Sequence, residues 1–265
     1  MYSRFQLAKK YLTYYLTASN GKGHGIHSPF VFDFITNVLN DKKKYKCYEI
    51  IEQRRKLLLN DPAVIEVEDF GAGSAVIKTN SRVVRNIAAS SLKPEKFSQL
   101  LFRIVNYYKP ETILELGTSF GITSAYLASG NSDAKLHTCE GAKNIAAIAM
   151  QTFNDLNLTN INLIEGDFAK TFPQLLAQLQ HIDLAFVDGN HRKAPTLDYF
   201  HQLLGVSHQS TILIFDDIHW SREMEEAWAQ IQQHPDVTLT IDLFFIGIVC
   251  VNTAIKVKQH FTVRF

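Results

Sequence analysis

Cysteine is scarce in this 265-residue chain. Its three cysteines, Cys47, Cys139 and Cys250, are far apart and odd in number. That pattern excludes a disulfide-stapled secreted scaffold and suits a reducing compartment. Long apolar runs are missing too: the longest, residues 243–251, is too short to cross a bilayer as a helix. The opening residues, MYSRFQLAKKYL, lack the unbroken apolar core of a secretory signal. A cytoplasmic protein with no membrane partner is expected. Charge of one sign is absent as well. Lys and Arg number 27 against 26 Asp and Glu, a net +1 that offers no broad field to a polyanion. The basic run DKKKYK at 41–46 reads as a solvated loop, and no arginine-rich tail or zinc spacing argues for nucleic acid. Internal repeats and low-complexity tracts are lacking. What remains is ordinary for a soluble protein: 46% hydrophobic residues, enough for one sizeable domain plus an elaboration.

The chain is organised around residues 112–128, TILELGTSFGITSAYLA. Ile113, Leu114 and Leu116 form a short apolar run that fits a buried parallel strand. Gly117 permits a tight turn and Gly121 a close backbone approach. From Ile122 the pattern becomes helical, stopping near Gly130. Strand, glycine turn and helix N-terminus make a nucleotide-sized pocket at the carboxyl edge of a sheet. The three-glycine dinucleotide fingerprint is absent, so the turn alone is a weak signal. The following strand, KLHTCE, ends in Glu140, about 20 residues past the turn, where a doubly wound fold places the carboxylate for ribose hydroxyls. A third strand ends at Asp167, within reach of an adenine amine. The plainer alternative for both acids is capping a helix.

Ahead of this stretch, Phe5, Ala8, Leu12, Tyr15 and Leu16 fall at helical spacing, with Lys9 and Lys10 free to face water. Further helices are expected from Ser28-Pro29 to Leu39 and over residues 48–59. This aromatic front piece, residues 1–90, is expected to be a helical extension packed on an α/β domain spanning 91–265. The glycine-rich segment with His24 and His27 is either a mobile cover or a flexible link. VIEVEDFGAGS, with Gly71 and Gly73, imitates a nucleotide loop, yet no second strand is expected after it, so it reads as a decoy. Beyond Pro94, strands near 113–116, 135–139, 161–165, 182–187 and 210–215 alternate with helices, and further strands close the chain. This is the rhythm of a doubly wound α/β fold.

Two later segments end strands in acids: Asp188 in FVDGNH, and Asp216 and Asp217 in IFDDIHW. Carboxylates brought together repel unless protons or a cation intervene, and an oxygen-rich set suits Mg²⁺, Ca²⁺ or Mn²⁺. The bland alternative is helix capping at 216 or 217 and a self-contained turn at 188. His191 is a candidate proton acceptor, with a structural hydrogen bond as its alternative. Trp220 reads as a pocket wall or as packing.

In their order, ELGTSFGITS, the acid at 140, FVDGNH and IFDDIHW resemble the class I methyltransferases that use S-adenosylmethionine. More narrowly they resemble the metal-dependent small-molecule O-methyltransferases, with catechol-type and antibiotic-hydroxylation-type members, over residues 93–251. The resemblance implies a mostly parallel seven-stranded sheet with one antiparallel strand near its end. It implies a cofactor loop of Glu115, Gly117, Thr118, Ser119 and Gly121, with Glu140 on the ribose and Asp167 and Asp188 also at the cofactor. It further implies Asp188, Asp216 and Asp217 as ligands of Mg²⁺ or another divalent cation, with Asp188 and His191 catalytic. Position 217 is Asp rather than the Asn of the catechol type, nearer the antibiotic type. His191 stands where the catechol type carries a lysine base, and Lys193 follows. Methyl transfer to a hydroxyl of a small molecule is the expected activity, with a homodimer as a possible assembly. A NAD-dependent oxidoreductase and a non-catalytic binding domain are the alternatives.

Overall fold

The computed structural model describes residues 1–69 and 78–265. The chain opens with α1 (Arg4–Thr17) and α2 (Pro29–Phe34), the latter continued by a π-helical turn (Ile35–Leu39). Next come α3 (Lys46–Asn60), β1 (Val64–Asp69), β2 (Lys78–Val83), α4 (Val84–Ser91) and α5 (Glu95–Tyr108). The alternation then runs β3 (Thr112–Leu116), α6 (Ile122–Gly130), β4 (Lys135–Glu140), α7 (Lys143–Asp155), β5 (Ile161–Glu165) and α8 (Phe168–Leu176). It continues with β6 (Ile182–Val187), α9 (Lys193–Leu204), β7 (Ser207–Asp216) and α10 (Arg222–Gln233). Three short strands close it: β8 (Leu239–Asp242), β9 (Ile246–Cys250) and β10 (Gln259–Thr262). This is the doubly wound α/β class expected from the sequence.

The chain forms two compact units. One comprises residues 42–178, with β3, β4 and β5 in parallel order and a separate antiparallel hairpin of β1 and β2. Its core joins Ile51, Leu58, Ile87, Phe102, Ile122 and Tyr126. Strand β3 is a short apolar run with both faces covered, Ile113 to Leu116 all being buried. Helix α5 buries Leu100, Leu101, Ile104 and Val105, and ends at left-handed Lys109 ahead of Pro110. Burial pushes the Cys139 thiol up to about 12, with the charges of Glu115 and Glu140 adding to it, which makes it a core residue and not a nucleophile.

The other unit comprises residues 1–41 and 179–265. Its strands run in the order β6, β7, β9, β8, β10. β7 lies parallel to β6, β10 parallel to β8, and β9 antiparallel to both its neighbours. The single antiparallel strand near the end is as the resemblance implied. The strands from β3 to β10 number eight among the described residues, one more than the seven expected; β10 is the addition.

Two further expectations are corrected. A second strand does follow the VIEVED run, because β2 folds back on β1 in register from Val64 opposite Val83 to Asp69 opposite Lys78. An antiparallel return needs no intervening helix, which is why a search for a strand–helix–strand unit missed it. Gly71 and Gly73 lie outside the described residues. In α1 the apolar face expected to pack is the outward one. Tyr14 and Ala18 are buried and join Leu7 and Tyr11 against Phe244 and Phe245, while Phe5, Leu12, Tyr15 and Leu16 are exposed. Helical spacing says which residues share a face, not which face is covered.

Candidate functional site

After β3 the chain turns through Gly117, φ 97°, and Gly121, φ 80°, both in the left-handed region. The N–H groups of Gly117 and Thr118 donate to the Cys139 carbonyl at 3.0 and 3.1 Å, and the Gly121 N–H donates to the Thr118 carbonyl at 2.9 Å. A Cβ on Gly121 would lie 2.6 Å from Cε1 of the buried Phe153 ring, so the side chain is absent for space as well as for conformation. Helix α6 starts directly behind this turn, directing its first N–H groups into it.

Two acids lock the turn from different directions. Glu115 is fully buried and accepts from Thr138 Oγ1 at 2.7 Å and from Ser124 Oγ. With its proton spent on Glu115, Thr138 accepts in turn from Thr118 Oγ1 at 2.6 Å. Glu115 thus supports the turn from within. Glu140 accepts the Ser119 N–H at 2.8 Å and the Ala142 N–H at 3.0 Å. Burial raises its pKa above the ordinary value, against the opposing pull of the N–H groups of Ala142, Ser119 and Gly141. Sequence reasoning singled out Glu115, Thr118, Ser119 and Glu140 but missed Ser124 and Thr138. The available signal was hydroxyls in stretches otherwise apolar. Asp167 caps α8, accepting the Ala169 N–H at 3.0 Å.

In the other unit, β6 and β7 are parallel neighbours, with Val187 opposite Phe215, and each delivers its acids at its carboxyl end. Beyond β6 the backbone is unusual: Asn190 has φ 67° and His191 φ 29°, with the His191 N–H returning to the Gly189 carbonyl at 2.9 Å. Asn190 Nδ2 donates to the hydroxyl of buried Tyr199 at 2.8 Å, a further contact that sequence reasoning missed. The His191 ring lies between two carboxylates, Nε2 at 3.5 Å from Asp188 Oδ1 and Nδ1 at 3.8 Å from Asp217 Oδ2. Lys193, the other base candidate, is paired with Glu226 at 2.9 Å. His219 is held by Asp242 at 2.8 Å and Glu225 at 3.1 Å. Burial opposes its protonation, yet these two acids outweigh it and raise its pKa. Trp220 is partly exposed, and its carbonyl accepts the Tyr2 N–H at 3.1 Å.

Among the described residues no three His, Cys, Asp or Glu side chains stand together as a group able to hold a metal ion. The expected set of Asp188, Asp216 and Asp217 is therefore not assembled as ligands. Asp216 ends β7 in a buried position, whereas Asp217 leaves the strand with φ 54° and is partly exposed. The ring of His191 stands beside the other two acids.

Residues 114–218, from within β3 to just past β7, match a family described as "Methyltransferase domain". That stretch of the chain is similar to a methyltransferase domain. Solved structures sharing the fold include an SAH-bound methyltransferase of Podospora anserina, 14% identical, with a TM-score of 0.61 over 95% of this chain and 98% of that one. An O-methyltransferase from Bacillus cereus, in complex with SAH, is 20% identical, with a TM-score of 0.56 over 83% and 97% of the two chains. The O-methyltransferase TomG from Streptomyces achromogenes, in complex with SAM, is 18% identical, with a TM-score of 0.54 over 84% and 95%. Among curated proteins, a tRNA (guanine-N(7)-)-methyltransferase of Mycoplasma mobile is 38% identical over 80 residues. That match spans 30% of this chain and 40% of the relative, well under half of that protein.

Proposed function

We propose that this protein transfers the methyl group of S-adenosylmethionine to a hydroxyl of a small molecule. The observation that carries the proposal is the turn after β3, where two left-handed glycines, a helix N-terminus and the Glu140 carboxylate meet. S-adenosylmethionine supplies a methyl group bound to a positively charged sulfur. Gly117, Thr118, Ser119 and Gly121 would hold its amino-acid end, with Glu115 bracing them from beneath. Glu140 would take the ribose hydroxyls on the lone pairs left over from Ser119 and Ala142. Asp167 would meet the adenine amine while it caps α8.

For the acceptor, His191 is the assigned base and Asp188 its orienting partner. The acceptor hydroxyl gives its proton to the imidazole, and the freed oxygen pair forms the new C–O bond as the C–S bond breaks. An imidazolium formed there stands between the carboxylates of Asp188 and Asp217. No step is routed through a cation, because the acids as placed do not form a three-ligand set. The small-molecule acceptor accords with a net charge of +1, which supplies no general attraction for RNA.

The test has two parts. Calorimetry with S-adenosylmethionine and with NAD should give binding of the first alone; preference for NAD would overturn the class of reaction. Methyl transfer is then assayed on catechols, other hydroxylated small molecules and tRNA, after chelation and again with Mg²⁺ restored. Methylation of tRNA alone would refute the small-molecule reading. Activity that vanishes on chelation and returns with Mg²⁺ would assign Asp188, Asp216 and Asp217 a cation after all.

A further inference from the structure

Helix α1 is built inside out. The face turned towards its own unit carries hydroxylated aromatics and a cation. Tyr14 donates to the Val263 carbonyl, Tyr2 donates to Glu225 at 2.6 Å, and Lys10 pairs with Glu225 at 2.9 Å. Tyr11 meets Phe244 edge-on at 5.1 Å. A cavity of ≈ 580 Å³ beside this face is lined by Gln6, Lys10, Thr13 and Tyr14 among others. Leu7 apart, the large apolar residues without a hydroxyl are on the other side. Phe5 is 81% exposed, Leu12 58% and Leu16 67%, and Met1, just ahead of the helix, 86%. With Ala8 they repeat at intervals of three and four and form one stripe about 100° wide. An exposed apolar stripe is the informative departure from ordinary burial, since single exposed apolar residues need no explanation.

The edges of the stripe are one-signed. Lys9 borders it on one side and Arg4 on the other, and both are exposed. The Arg264 guanidinium lies over the Tyr15 ring at 5.0 Å, adding a third cation beside it. The first 32 residues contain Arg4, Lys9, Lys10 and Lys22 and no acid before Asp33. The near-neutral total charge, which argued against a polyanionic partner, averages over this local excess. A second copy of the helix would set Arg4 and Lys9 against their own kind, which disfavours self-pairing.

We infer that α1 docks this protein onto an anionic lipid surface. Phe5, Leu12 and Leu16 would enter the boundary between headgroups and acyl chains, with Arg4 and Lys9 at the level of the phosphates. The helix lies on the surface and does not cross it: its 14 residues span about 21 Å, and no helix among the described residues is long and apolar enough to traverse a bilayer. The ties from Tyr2, Lys10 and Tyr14 hold the helix with its stripe outward before any lipid arrives, so little order has to be gained on binding.

The test is sedimentation of the full chain with vesicles of phosphatidylcholine and with vesicles of equimolar phosphatidylcholine and phosphatidylserine. The protein is expected to partition onto the anionic vesicles, less so at high salt, and weakly onto the neutral ones. The pair Arg4→Gln and Lys9→Gln should lower the anionic partition by about thirtyfold, near 1 kcal/mol per cation. The pair Leu12→Gln and Leu16→Gln, at exposed positions that leave the fold intact, should lower it by about tenfold or more. Circular dichroism and melting of each variant verify that folding is unchanged. Failure of the native protein to bind either vesicle overturns the inference, as does unimpaired binding by the leucine pair. A dimer in solution that the leucine pair converts to monomer also overturns it, because a second copy then covers the stripe. None of these results depends on whether methyl transfer is observed.

Discussion

After β3 the chain turns on glycines, Gly117 and Gly121 at φ 97° and 80°. After β6 and β7 it turns on Asn190, His191 and Asp217 at φ 67°, 29° and 54°. The first turn is densely bonded, with Glu140 accepting the Ser119 and Ala142 N–H groups and Glu115 accepting from Thr138 and Ser124. Its one left-handed residue with a side chain is Ser119, φ 49°. The turns after β6 and β7 hold three side-chain-bearing residues in that region, of which His191 bears the cost of about 1–2 kcal/mol, and its contacts, at 3.5 and 3.8 Å, are longer than hydrogen bonds. Strain of this kind persists only where neighbours over-determine it, here the Asn190–Tyr199 bond and the turn back to Gly189. The difference is what a holding site and a reacting site require. A carrier is held by groups already at rest, and a base is kept with capacity to spare.

The variant expected to have the largest effect tests the reacting side. His191→Gln keeps a polar side chain but removes the base, and should lower kcat by about 10²–10⁴-fold while cofactor affinity and melting temperature stay as they were. Equal activity in the variant would reduce the acidic strand ends to structural turns. On the holding side, Gly121→Ala places a methyl against Phe153 and in left-handed backbone at once. A cost of about 3 kcal/mol in chemical denaturation is expected. A native midpoint would mean that the turn is looser than its glycines suggest. Glu140→Ala follows at about 2 kcal/mol in cofactor affinity, read by calorimetry, for two charge-assisted contacts to the ribose. Native affinity in that variant would leave Glu140 with only its role in tying Ser119.

The same contrast decides what was legible beforehand. A glycine turn between a buried strand and a helix is local, so residues 112–128 announce it, and the alternation of strands and helices after Pro94 follows from periodicity alone. Glu115 was legible as an acid in the loop, but its enclosure by Ser124 and Thr138 arises from three separate elements and has no local pattern. Likewise His191 and Asp217 are 26 positions apart (217 − 191) and meet only because β6 and β7 are parallel neighbours. The acids were therefore legible as strand-end groups, whereas how they stand to one another was not. Two adjacent residues, Asp216 and Asp217, need not share a face once the backbone leaves the strand. Helix α1 shows the same limit, since its stripe was visible and its direction was not.

The smallest expected effect is a pH dependence that separates the two roles of Glu140. Its folded pKa is raised above the ordinary 4.5 chiefly by burial, against the pull of three backbone N–H groups. For an acid shifted this way the folded state favours the proton. The contribution to stability is fully present below the unfolded value and is lost as pH rises through the raised folded value. Cofactor binding runs in the opposite direction, because ribose hydroxyls need the ionised carboxylate as acceptor. As pH falls from neutrality towards 4.5, affinity for S-adenosylmethionine should weaken before an ordinary glutamate would protonate, while the melting temperature does not fall in step. Glu140→Gln serves as the control. Its affinity should be lower and flat over that range, with the Glu140 component of the stability curve gone. If affinity in the native protein stays constant down to 4.5, the ribose is held by other groups, and Glu140 belongs with Glu115 as a brace of the turn.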